Sequence, residues 1–161
     1  MSADLVERKL AAILAADVSG YSRMMEVDEA GTLARMKAHI GEVVRPRIAA
    51  HRGNIVKTTG DGLLAEFASV VEAVESAVEI QRSMAERNTG EPENSQILYR
   101  VGINLGDVIF EDGDVFGDGV NVASRLEGGS PSRAACASRT LCIRPSRIGS
   151  RRLFATWATS A

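Results

Sequence analysis

The chain has 161 residues, 45% of them apolar and 4% aromatic, with a formal charge of −2, which suits one α/β domain with a core of Ala, Val, Leu and Ile. No apolar run approaches the roughly 20 residues that span a bilayer, and Met1 to Lys9 carries Asp4 and Glu7 instead of a basic and then apolar leader; no membrane contact and a cytoplasmic location are expected. Two cysteines, Cys136 and Cys142, are too few for a disulfide framework and lack the spacing of a zinc site.

Leu10 to Val18 is a short apolar run closed by Ser19 and Gly20, the pattern of a buried central strand ending in a turn. Asp17 interrupts its apolar end. From Asp28 to about His51, Leu33, Met36, Ile40, Val43, Val44 and Ile48 recur at helical spacing, with Gly53 beyond the end; Pro46 is expected to bend or divide that helix. Gly53 to Thr59 and Leu63 to Phe67 read as two strands joined by Gly60-Asp61-Gly62, a composition for a tight hairpin with positive backbone dihedrals. Ser69 to Asn88 reads as a helix opened by a Ser69 and Glu72 capping box. A polar loop reaches Ser95, Ile97 to Leu105 alternates as a strand, Gly106 is expected to turn it, and Asp107 to Phe110 continues extended. Asp112 to Gly117 reads as an acidic loop, and Gly119 to Leu126 as a last helix capped by Asp118. The order β, α, β, β, α, β predicts an α+β, ferredoxin-like βαββαβ sandwich with an antiparallel sheet and both helices on one face. In such a sheet the end of the first strand lies beside the central hairpin, which brings Asp17 next to Asp61.

Each of these acids alone has an ordinary reading, Asp61 as the aspartate of a tight turn and Asp17 as a strand-end residue bonding its own backbone. Together, two carboxylates with little compensating charge repel unless a divalent cation neutralises them, and hard oxygen ligands point to Mg²⁺ or Mn²⁺. Lys57 stands four residues before Asp61 on the same hairpin. Asn121 and Arg125 are four apart, so both project from one helix face, an arrangement able to hold a ribose and a phosphate. Arg125 alone also fits an exposed arginine on an amphipathic helix.

With these motifs in this order, the chain from about Arg8 to Glu127 resembles the class III nucleotidyl cyclases, which make cyclic AMP or cyclic GMP. Asp17 in Ala-Ala-Asp-Val-Ser-Gly-Tyr and Asp61 in Lys-Thr-Thr-Gly-Asp-Gly are similar to the family's two metal aspartates. Lys57 and Asp114 resemble the pair that selects adenine, and Asn121 and Arg125 the residues that orient the ribose and stabilise the transition state. Val101-Gly102-Ile103-Asn104-Leu105-Gly106 resembles the family's strand motif. The resemblance implies an adenylate cyclase that takes ATP and two Mg²⁺ or Mn²⁺ ions. It also implies a head-to-tail homodimer, with the metal aspartates from one subunit and Lys57, Asp114, Asn121 and Arg125 from the other. A guanylate cyclase, a two-metal phosphodiester enzyme on the same fold, and a nucleotide-binding or dimerisation module without turnover are the competing readings.

After Glu127 the resemblance stops. Thirteen basic and 21 acidic residues lie up to Glu127, a net −8, whereas six arginines and no acid follow it. Residues 128–161 show no periodicity, and nothing there matches the lysine that the family sends to the triphosphate. A shifted reading frame in GC-rich DNA gives such a composition: Ser130 to Ala135 can be back-translated so that a neighbouring frame reads Leu-Ala-Glu-Pro-Gly-Gly, as relatives do there. The domain is accordingly expected over 8–127, with 128–161 a truncated or aberrant part. A nucleic-acid partner is not expected, since the tail lacks interleaved aromatics and lysines.

Overall fold

The computed structural model describes residues 6–111, 114–117, 140–144 and 154–157. Its strands are β1 (Glu7–Val18), β2 (Asn54–Thr58), β3 (Gly62–Phe67), β4 (Tyr99–Glu111), β5 (Asp114–Phe116), β6 (Thr140–Arg144) and β7 (Phe154–Trp157). They form one sheet in the order β2-β3-β1-β4-β6-β7, with β5 hydrogen-bonded to β4 and every pairing antiparallel. The first four strands in the order β2-β3-β1-β4 are those of the expected ferredoxin-like unit. β6 and β7 extend the sheet into the segment where the sequence pattern predicts no element.

β1 is central because it is apolar on both faces. Ala12, Leu14, Ala16 and Val18 pack toward the helices, joined by Val44, Ile48, Ala73, Ala77, Ile80 and Met84. Ala11, Ile13 and Ala15 pack on the opposite face with Val108 and Val115. Continuous burial on both faces explains why this strand reads as an unbroken hydrophobic run.

Among the described residues, four α-helices lie between the strands: α1 (Tyr21–Val27), α2 (Glu29–His39), α3 (Arg45–Ala50) and α4 (Val70–Asn88). α1 was not expected from the sequence; it begins after Gly20, whose φ of 73° supplies a left-handed step. The long helix predicted from Asp28 to His51 is instead α2 and α3 joined by a π-helical turn, Ile40–Val44. Pro46 sits in the first turn of α3. Because Pro46 donates no hydrogen bond and its ring crowds the preceding turn, the wider turn falls just ahead of it. At α4, Ser69 is the N-cap but makes no side-chain cap bond. Glu72 instead binds Arg52, whose Nε lies 2.7 Å from its Oε1, so the predicted capping box does not form.

Two further expectations are corrected. Gly106 does not turn the chain: β4 runs through it, and Ala11 pairs with Gly106 within an unbroken β1–β4 ladder. Neither Gly60 nor Gly62 has a positive φ. Gly62 is required by packing instead, since a Cβ there would run into the carbonyl oxygen of Ala16 and lie 3.3 Å from the Cα of Asp17.

Candidate active site

Asp17 pairs with Gly62 in the β1–β3 register, and the amide of Val18 donates to the carbonyl of Asp61 at 2.8 Å. The sheet thereby sets the strand-end aspartate beside the turn aspartate, as the sequence pattern predicts. Alternation along β1 puts Asp17 on the face of Ala11, Ile13 and Ala15, away from the helices. Its side chain is only 5% exposed, and isolating a carboxylate so far from water is costly unless it is paired.

The partner is Arg100, which sequence reasoning missed. It lies directly across the β1–β4 ladder from Asp17. Its Nε donates to Asp17 Oδ1 at 3.0 Å and its Nη2 donates to Oδ2, a two-pronged charge-assisted contact. The signal that could have found it is an arginine in an otherwise apolar strand, but linking it to Asp17 needs the strand register. That register is held from below. Gln81 on α4 donates to the carbonyl of Tyr99 at 2.7 Å, and Asn88 exchanges two hydrogen bonds with Ile97 at 2.9 and 3.2 Å.

Lys57 reaches the same face through an irregularity. The β2–β3 register shifts between Ile55 and Lys57, which places Lys57 opposite Leu64, whose side chain belongs to the helix-free layer. A bulge that re-aims one side chain is a common device beside functional sites. Lys57 Nζ then lies 3.9 Å from Asp114 Oδ1, with both side chains about half exposed. So exposed a pair adds little stability; it reports position. Asp114, expected in an acidic loop, is the first residue of β5. Asn121 and Arg125, with the helix predicted for them, lie outside the described residues.

The donors suit a hard divalent cation. No cluster of three or more His, Cys, Asp or Glu able to hold a metal occurs among the described residues; the candidates on this face that would hold one are the carboxylates of Asp17 and Asp61. That is the way Mg²⁺ is commonly bound, through one or two carboxylates with substrate phosphates and water completing the shell.

An α+β sheet with two aspartates adjacent at the end of its central strand and a lysine–aspartate contact on the face of the first defines a candidate nucleotide-handling domain. The sequence profile of the adenylate and guanylate cyclase catalytic domain matches residues 6–143, and the chain belongs to that family. It is 52% identical over 127 residues to "Putative adenylate cyclase 3" of Rhizobium meliloti (strain 1021), covering 79% of this chain and 22% of that protein. It is 35% identical to an adenylate cyclase of Streptomyces coelicolor, covering 81% of this chain and 32% of that protein. The crystal structure of an adenylate/guanylate cyclase/hydrolase from Silicibacter pomeroyi superposes with a TM-score of 0.72 at 52% identity, over 78% of this chain and 73% of that one. The chain thus spans between about a fifth and a third of those two curated relatives, at 22% and 32% of their lengths. No helix among the described residues is long and apolar enough to cross a membrane.

Proposed function

We propose that this catalytic domain is an adenylate cyclase, converting ATP to 3′,5′-cyclic AMP and pyrophosphate at a site completed by a second, head-to-tail copy of the chain. The observation that carries the choice of adenine is the Lys57 and Asp114 contact, 3.9 Å between Nζ and Oδ1. A donor and an acceptor side by side match the edge of adenine, which offers a ring-nitrogen acceptor and an amino donor.

In the reaction the 3′-oxygen of ATP bonds to its own α-phosphorus while the bond from that phosphorus to the pyrophosphate oxygen breaks; the hydroxyl proton passes to solvent. Asp17 and Asp61 would hold two Mg²⁺ or Mn²⁺ ions. Bound there, such ions lower the pKa of the attacking hydroxyl and neutralise charge on the phosphoryl and leaving oxygens. Lys57 would donate to the base and Asp114 accept from its amino group. Asn121 would orient the ribose, and Arg125 would contact the negative charge that grows on the phosphoryl oxygens, a contribution of a few kcal/mol when the donor is preorganised.

Product analysis with Mn²⁺ and either ATP or GTP tests the reading. Cyclic AMP from ATP, with GTP the poorer substrate, is expected. Replacing Lys57 by Ala should narrow the ATP:GTP ratio of kcat/KM by about ten- to a hundredfold, the value of one hydrogen bond to a charged donor. Preferential turnover of GTP would make the domain a guanylate cyclase, and nucleotide binding without product would make it a binding module.

A further inference from the structure

Arg100 and Asp17 face each other across the β1–β4 ladder and form a two-pronged ion pair. The guanidinium fork occupies both oxygens of a carboxylate that is 5% exposed, while the arginine itself is 37% exposed and faces the site. Asp61, the other carboxylate of the pair, takes no ion pair among the described residues.

We propose that Arg100 is a built-in counter-ion that competes with the divalent cation for Asp17, so that the metal is admitted only as the arginine withdraws. The inference rests on the reading of Asp17 as a metal ligand and goes beyond it. A carboxylate whose two oxygens both accept from one guanidinium offers few remaining lone pairs in the directions a cation approaches. A dication entering beside the undisplaced arginine would also meet its positive charge in a partly buried, weakly screened setting. Metal binding at Asp17 therefore includes the free energy of breaking the Arg100 contact. Until then the arginine keeps a nearly buried acid compensated, which lets the site fold without metal. Arg100 is thus a positioning residue for the metal site, and its effect is readable without catalysis.

Mn²⁺ titration of the full chain without nucleotide, followed by electron paramagnetic resonance of free Mn²⁺, compares wild type with Arg100→Gln, Arg100→Lys and Asp17→Asn. Arg100→Gln should bind the Asp17-dependent Mn²⁺ at least about tenfold more tightly than wild type. Arg100→Lys, which keeps the charge but loses the fork, should fall between them. Thermal unfolding gives an independent readout: Mn²⁺ should raise the Tm of Arg100→Gln more than that of wild type, by linkage. If Arg100→Gln does not fold without metal, the Arg100→Lys comparison carries the test. Equal or weaker Mn²⁺ binding in both arginine variants, with binding still lost in Asp17→Asn, overturns the competition while sparing the metal site. Mn²⁺ binding unaffected by Asp17→Asn overturns both.

Discussion

Tyr99 shows how closely core and site are joined at single residues. Its ring is buried beneath the start of β4, next to Arg100, and its hydroxyl has no hydrogen-bond partner among the described groups. Burial pushes its pKa up to about 12, because the phenolate would be stranded away from water. The folded protein therefore keeps a proton that the unfolded chain gives up near pH 10. Its contribution to stability is intact below about pH 10 and fades as the pH rises toward 12. Urea unfolding from pH 9 upward should show a fall in midpoint that is smaller in Tyr99→Phe; identical slopes would contradict this account. At the same scale, the neighbourhood of Asp17 and Asp61 was legible in the sequence because one acid ends an apolar strand and the other sits in a hairpin turn, whereas Asp114, one of several acids in its loop, is singled out only by the family resemblance. Arg100 was not legible, since its meaning lies in facing Asp17 across 83 residues of chain, and no local pattern encodes a register.

Elements were legible where one face is strongly apolar and obscure where it is not. β1 and α4 bury long rows of residues and announce themselves. α1 buries none completely, so it lacks the stripe from which a helix is read. Gly106 and the Gly60 to Gly62 turn misled for a related reason: glycine marks either a special dihedral or a close approach, and only the packed structure tells which. At Gly62 the close approach decides. Gly62→Ala should destabilise the fold by about 1–3 kcal/mol, since the neighbour that must yield is the backbone of β1. Chemical denaturation measures it, and a change within about 0.5 kcal/mol, as at an ordinary surface position, would show that β1 and the hairpin are not held that tightly. Because the same contact fixes Asp61 beside Asp17, activity should fall with stability.

For the whole molecule, the βαββα order gave the ferredoxin-like core correctly, but the sequence was silent on β6 and β7, whose stretch carries no alternating pattern. The proposed two-fold assembly makes a quantitative prediction. Asp61→Ala disables one half of a site and Arg125→Ala the other, so each chain alone should be inactive. Mixed one to one, half the dimers are hybrids with one intact site of two, which restores about a quarter of wild-type turnover; no recovery would show that the site is not shared. The central claim, that Asp17 and Asp61 form the metal pair of a cyclase acting on ATP, is met most directly by one comparison. Cyclic AMP formed from ATP and Mn²⁺ should be abundant with the wild-type chain and reduced by at least about a thousandfold in Asp61→Ala. Equal turnover by the two chains, or none by wild type despite ATP binding, would contradict it.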